Sequence, residues 1–355
     1  MMRRLRWRTW LAVALVTTRA HAQQAAEGRL VADTVHAKSL EHNLYGDSPD
    51  RTMLVYLPPS YASSPNKRYP VVYLLHGFGG DEKDWGGYAP VKPAMDTLVR
   101  LGIVREMIIV MPNGNNALSG SFYTNSATTG NWDDYISGEL VAFIDKKYRT
   151  IARPESRGLS GHSMGGYGTF AVGIRHAGDI YGALYALSGC CTQFSASIGN
   201  AGPTWAALSR VTSLAEARRL PFIPKVYLAL SAAFSPNPNA PPLFYNPAFV
   251  HNGEQWQSAD AVYKQWVEHA PLNMIAGHAA QLKRLRGFMF DVGLKDNLVS
   301  PAALAAIDSE LTRVGVPHVY ETYDGDHTNR IGVRIAARLL PFFSKTLDFG
   351  DASRR

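Results

Sequence analysis

The chain has 355 residues, 46% of them hydrophobic and 18% charged, enough to bury the core of one large α/β domain. Its formal charge of +7, from 36 Lys+Arg and 29 Asp+Glu, is concentrated at the start. Arg3, Arg4, Arg6, Arg8 and Arg19 stand in the first 22 residues with no acid among them, so the remainder carries 31 bases against 29 acids, or +2, which points to no nucleic-acid partner and no stable membrane association.

Those first residues read as a targeting segment. The arginines form a positive region, Trp10 to Val16 is a short apolar core, and Ala20-His21-Ala22 is a small-x-small site. A signal peptide over residues 1–22 is therefore expected, cleaved after Ala22, with the mature chain secreted or periplasmic. Residues 23 to about 33 read as a disordered leader. Val35–His42 and Thr52–Leu57 read as two extended segments joined by turn formers, an antiparallel hairpin. Val71-Val72-Tyr73-Leu74-Leu75 is a continuous apolar run of strand length, which implies burial on both faces. The spacing predicts a helix over 90–101, a strand over Met107–Met111, a long polar loop from Asn115 to Trp132, and a helix over Tyr135–Tyr148. Arg157 to Ser160 predicts a short strand, Met164–His176 a helix, and Tyr181–Leu187 another buried strand. From 192 to about 283 the rhythm breaks into Pro- and aromatic-rich stretches, read as a cap-like insertion without a core of its own. The alternation resumes with a strand at Phe288–Val292, a helix at Pro301–Val314, a strand at Val319–Tyr323 and a closing helix at Asn329–Leu347. Strands alternating with helices predict a single α/β domain over 35–347, with a mostly parallel central sheet covered on both faces. Sites in such sheets lie at the carboxyl ends of the strands.

The chemistry gathers at those ends. Gly161-His162-Ser163-Met164-Gly165 is a Gly-x-Ser-x-Gly turn between a predicted strand and helix, which exposes the Ser163 hydroxyl above the sheet. A serine hydroxyl is a weak nucleophile and needs a base, which needs an orienting acid. His327, in the loop after the last strand, fits the base. Asp296, in the loop after Asp291, fits the acid, with Asp291 itself as the alternative. His76 precedes the nucleophile and reads as a loop-ordering residue; His162 reads as packing beside the serine, and Asp326 as a turn former. Two backbone donors are needed for an oxyanion. The N–H of Met164 and that of Phe78, in His76-Gly77-Phe78-Gly79-Gly80, are the candidates. Trp85, Tyr123 and Trp132 are candidate substrate contacts, together with Phe122, Phe234 and Phe244. No His/Cys/Asp/Glu cluster has metal-ligand spacing, and this chemistry calls for no cofactor. The two cysteines, Cys190 and Cys191, are neighbours and cannot staple distant parts of the fold. They read as buried thiols or a strained vicinal disulfide with a structural role.

Tyr56-Leu57-Pro58-Pro59-Ser60-Tyr61, Tyr69-Pro70 through His76-Gly77, Gly161-His162-Ser163-Met164-Gly165-Gly166 and Gly325-Asp326-His327 together resemble the putative-esterase family of α/β-hydrolases. That group includes S-formylglutathione hydrolase (esterase D), bacterial feruloyl esterases and the antigen 85 mycolyltransferases. The resemblance covers about 35–190 and 286–345. It implies an α/β-hydrolase fold with Ser163, Asp296 and His327 as the triad and with Met164 and Phe78 as oxyanion donors. It also implies ester hydrolysis, and the aromatic residues Trp85, Phe122, Tyr123, Trp132, Phe234 and Phe244 together favour an aryl or short-acyl ester, small-molecule or carbohydrate-linked. Antigen 85 members carry Asp-Gly where this chain has His76-Gly77, which counts against acyl transfer of that type. A non-catalytic carbohydrate-binding relative is the remaining alternative.

Overall fold

The computed structural model describes residues 27–194 and 202–350. The expected signal peptide lies outside the described residues. Eight strands form one sheet: β1 (Arg29–His36), β2 (Asp50–Leu57), β3 (Val71–Leu75), β4 (Ile108–Pro112), β5 (Arg157–His162), β6 (Ala183–Leu187), β7 (Gly287–Gly293) and β8 (Val319–Tyr323). Their spatial order is β1-β2-β4-β3-β5-β6-β7-β8. The six strands from β4 to β8 pair in parallel, while β2 runs antiparallel to both β1 and β4. The hairpin expected near the start is present, but its first strand begins earlier. Arg29 pairs with Leu57 and His36 with Asp50, so residues read as leader are sheet edge. Their mixed polarity misled because one face of an edge strand looks at water.

Successive strand residues point to opposite faces, and here both faces are covered, which explains the unbroken apolar runs. Tyr73, Leu75, Ile108, Val110 and Phe290 enter one core. Val72, Leu74, Ile109, Met111 and Tyr185 enter the other. α1 (Val91–Arg100) covers the second face through Val91 and Met95. The C-terminal segment covers it through Ile331, Ile335, Leu339, Leu340 and Phe343. α2 (Leu140–Lys147) and α3 (Met164–Arg175) cover the first face. The insertion joins that same core: α4 (Phe222–Phe234), Trp205, Phe249 and Trp266 pack into it continuously with α3. The insertion therefore has no separate interior. α5 (Pro301–Arg313) completes the face with Leu304, Ile307 and Leu311. Among the described residues no helix is long and apolar enough to cross a membrane.

Asp291 lies wholly buried in β7, where Arg334 Nε donates to it at 2.7 Å and the Tyr185 hydroxyl at 2.6 Å. Arg334 also donates to Glu321 on β8 at 2.6 Å, so this network ties β6, β7, β8 and the C-terminal segment together beneath the sheet. Burial pushes the Asp291 carboxyl up to about 6 against the opposing pull of the Arg334 charge. Removing one partner of a buried pair strands the other charge. Arg334→Met is expected to lower the unfolding free energy by about 3–5 kcal/mol at pH 7, measured by urea titration. The loss should shrink at pH 5, where Asp291 takes up a proton.

Candidate active site

β3, β5, β7 and β8 all end on one edge, and the loops leaving them carry the candidate residues. Ser163 follows β5 directly, at φ 57° and ψ −114°, a conformation L-residues avoid. It persists because its surroundings leave no alternative. A Cβ on Gly165 would stand 2.1 Å from the Leu75 carbonyl oxygen, and one on Gly161 would stand 2.4 Å from that of Gly165. The two glycines thus let α3 begin in contact with the ends of β3 and β5. The Ser163 N–H donates to Leu187 O at 3.0 Å, and its C=O accepts from Tyr167 N at 2.9 Å and Cys190 N at 3.2 Å. Met164 is the first residue of α3, so its N–H has no intrahelical acceptor and adds to the positive end of the helix dipole. The Phe78 ring packs edge-on against Phe222 at 5.8 Å, which joins the loop after β3 to the insertion.

His327 Nδ1–H donates to Asp296 Oδ2 at 2.8 Å. Asp296 Oδ1 in turn accepts from the Leu298 and Val299 N–H groups at 2.9 and 2.8 Å. Burial acts to raise this carboxyl, but the His327 hydrogen bond and the Val299 and Leu298 amides outweigh it and hold it below the usual carboxylate range. Asp296 is therefore an anion fixed on three sides. The carboxylate hydrogen-bonded to His327 is that of Asp296; Asp291 is bonded instead to Arg334. Asp326 Oδ1 accepts from Thr328 N and Asn329 N at 2.8 Å each, closing the turn that presents His327.

The two other histidines of the site are buried and fully engaged. His76 Nδ1–H donates to Gly77 O and its Nε2 accepts from Gly114 N, both at 2.8 Å, which fixes the loop after β3. Burial pushes this ring down to about 4. His162 Nε2–H donates to the carbonyl oxygen of His327 at 2.8 Å, with the two rings 4.7 Å apart. This bond ties the loop after β8 to the residue adjoining Ser163. Burial, helped by the nearby His327, pushes His162 down to about 3.

A cavity of about 290 Å³ opens on Ser163, lined by Phe78, Phe122, Met164, Cys190, Cys191, Phe194, residues of α4, and Leu298 and Val299 beside Asp296. Phe222, Ile223, Val226, Tyr227 and Leu230 are the α4 contribution. Of the residues expected to touch substrate, Phe122 does line this cavity. Trp85, Tyr123 and Trp132 do not; they are core residues, 2%, 0% and 0% exposed. Tyr123 donates its hydroxyl to His76 O at 2.9 Å, and Trp132 donates Nε1–H to Thr129 O at 2.8 Å beneath the Arg51 guanidinium. Phe234, 1% exposed, and Phe244 do not line this cavity either. Sequence reasoning missed the α4 lining. Its signal was present in the apolar run Phe222-Ile223 and Val226-Tyr227 with Leu230 one turn on. A larger cleft, about 840 Å³, lies at the amino ends of the parallel strands among Lys67, Arg68, Glu106, Arg153 and Asp348, remote from every candidate residue.

The model of the family described as "Putative esterase" matches residues 48–331, four fifths of the chain. The chain belongs to that family. It is 33% identical over 144 residues to an endo-1,4-beta-xylanase/feruloyl esterase of Xylanibacter ruminicola, covering 39% of this chain and 19% of the other. It is likewise 33% identical over 137 residues to an esterase of Mycobacterium tuberculosis, covering 36% of this chain and 26% of that one. The matches to these two relatives thus span about a fifth to a quarter of their length. A solved ferulic acid esterase superposes with a TM-score of 0.64 over 91% of this chain and 100% of its own, at 24% identity, which establishes the shared α/β-hydrolase fold.

The buried neutral histidines make acid stability a test of this geometry. Unfolded, His76 and His162 take up protons near pH 6.5; folded, they resist until about 4 and about 3. Below pH 6.5 the unfolded chain therefore binds more protons. The stability these sites contribute is complete above 6.5 and is lost as pH falls, with a slope approaching about 1.4 kcal/mol per pH unit for each. Urea titrations at pH 7, 6 and 5 should show that decline, and His162→Asn should flatten it.

Proposed function

We propose that this chain is an exported serine carboxylesterase acting through an acyl-enzyme on Ser163. The observation that carries the reading is the His327–Asp296 pair, 2.8 Å apart, on the strand-end edge where the strained Ser163 turn meets an apolar cavity. In this mechanism His327 Nε2 takes the Ser163 proton as Oγ attacks the ester carbonyl. Asp296 fixes the ring so that Nδ1 carries the hydrogen and Nε2 is free, and it balances the imidazolium that forms. The Met164 and Phe78 N–H groups receive the developing oxyanion. The alcohol departs with the proton from His327, and water, activated by the same histidine, releases the acid.

The cavity argues for the acyl group. Its walls are mainly aromatic and aliphatic, and about 290 Å³ suits an aryl or short acyl chain rather than a long lipid tail. The named relatives include an endo-1,4-beta-xylanase/feruloyl esterase. The substrate class proposed is accordingly a hydroxycinnamoyl or short-acyl ester, carried on carbohydrate. Export is supported by the N-terminal pattern of arginines, apolar core and small-residue site.

The test is hydrolysis of p-nitrophenyl acetate, p-nitrophenyl butyrate and methyl ferulate beside a long-chain ester. Ser163→Ala should lose about 10³-fold or more in kcat. Asp296→Asn should lose a comparable factor, while Asp291→Asn should act mainly on stability. Equal rates in native and Ser163→Ala protein would remove the reading. Preference for the long-chain ester would remove the proposed substrate class alone.

A further inference from the structure

Cys190 and Cys191 sit where the mechanism above leaves them without a task. They follow β6 by three residues, and both line the cavity that opens on Ser163. Both also line a second depression of about 240 Å³, bounded by Thr192, Ser300 and Ala303, so the pair is part of the wall between the two. Their sulfurs are 3.0 Å apart. Both residues are free cysteines and half-buried, within reach of a small reagent from the cavity.

The backbone around them is held in an unusual way. Ser188 and Cys191 have φ of 41° and 56°, in the left-handed region. Strain of this kind is found where surrounding structure over-determines a segment. The clamps here are visible. Ser188 N–H donates to Asp291 O at 2.9 Å, Cys190 N–H donates to Ser163 O at 3.2 Å, and the Thr192 carbonyl accepts from Leu272 of the insertion at 3.0 Å. A Cβ on Gly166 would lie 2.6 Å from Gly189 Cα, so the first turn of α3 leaves this loop no room to shift. The segment bearing the sulfurs is thus tied to the proposed nucleophile on one side and to the cap on the other.

We propose that Cys190 and Cys191 form a reversible dithiol–disulfide pair whose state sets the shape of the acyl pocket. The pocket half of this inference rests on the esterase reading above. The chemistry needs an oxidant of the low-molecular-weight disulfide class. One thiol, as its thiolate, attacks the oxidant RSSR, giving a mixed disulfide and one RSH. The second thiol then displaces the other RSH and closes the bond between Cys190 and Cys191. The protein gives up two hydrogens and two electrons, and the oxidant gains both. The hydrogen bond that Cys191 donates to Cys190, with burial, pushes the Cys191 thiol up, and the two sulfurs stand close enough for either to close the bond onto the other. Adjacent Cα atoms stand about 3.8 Å apart, closer than the 4.4–6.8 Å of ordinary disulfides, and a bond formed under that constraint is readily reduced again. Closure replaces two separately rotating thiols with one rigid ring in the cavity wall. The effect falls on acyl groups large enough to touch that wall.

The experiment exposes the full chain, folded, to oxidised glutathione, then to dithiothreitol. It reads free thiols, intact mass, and kcat and KM for acetate, butyrate and ferulate esters. Oxidation should remove both thiols and two hydrogens of mass. It should shift KM for the ferulate ester by about threefold or more while acetate changes little, and dithiothreitol should reverse both. Cys190→Ser and Cys191→Ser, each made separately so that one folding failure does not decide the matter, should lose the response whatever their basal rates. Persistence of two free thiols overturns the proposal, as does closure that leaves all three esters unaffected. Closure with no turnover in either state overturns the esterase reading, and with it the role in the pocket.

Discussion

The Ser163 turn is the constraint on which the rest of the molecule depends. Holding one non-glycine residue at φ 57° costs on the order of 1–3 kcal/mol, and that cost is met by packing from several elements at once. β3 and β5 must end at the same level, α3 must start against their carbonyl oxygens, and only glycine at 161 and 165 permits the approach. The Ser163 N–H and C=O are then fixed to Leu187 and Cys190, in and after β6. A parallel sheet with both faces buried supplies this rigidity, since β3, β5 and β6 are paired through their full lengths at the centre. The α/β alternation is therefore the means by which one hydroxyl is held above a sheet edge with a helix dipole behind it.

Around that turn the charges are sorted by environment. Asp296 remains an anion because two backbone amides and His327 compensate its burial. Asp291, two residues before the end of β7, is given a structural task by Arg334 and Tyr185. His76 and His162 are neutral because burial forbids a second proton and both of their hydrogen-bonding networks use the neutral ring. The bond from His162 to the His327 carbonyl couples the first and last elements of the proposed triad.

Much of this was legible in the sequence for identifiable reasons. Apolar runs such as Val71–Leu75 announce strands buried on both faces, and Gly161, Gly165 and the chain order of Ser163, Asp296 and His327 announce where those strands converge. What escaped was decided by tertiary context. Residues from Arg29 onward form an edge strand, where half the side chains meet water and the pattern resembles a leader. Trp85, Tyr123 and Trp132 sit in or beside loops near the site, yet their size makes them core; an aromatic residue buries too much apolar surface to be left at a rim by default. The α4 wall of the cavity lies in the insertion, where periodicity shows an amphipathic helix without showing what its apolar face covers. Asp296 and Asp291 are five residues apart, and only loop against strand position separates them in the sequence; Arg334, 43 residues downstream of Asp291, supplies the partner that Asp291 takes.

The central claim is that Ser163 becomes acylated and that the His327–Asp296 pair drives that step. Rapid quenching of the protein during turnover of a p-nitrophenyl ester, followed by peptide mass analysis, tests it most directly. The account predicts an acyl adduct on the peptide bearing Ser163, formed with a burst of nitrophenol and absent from Ser163→Ala. An adduct carried instead by Cys190, or turnover with no adduct on Ser163 and an unchanged rate in Ser163→Ala, would contradict it.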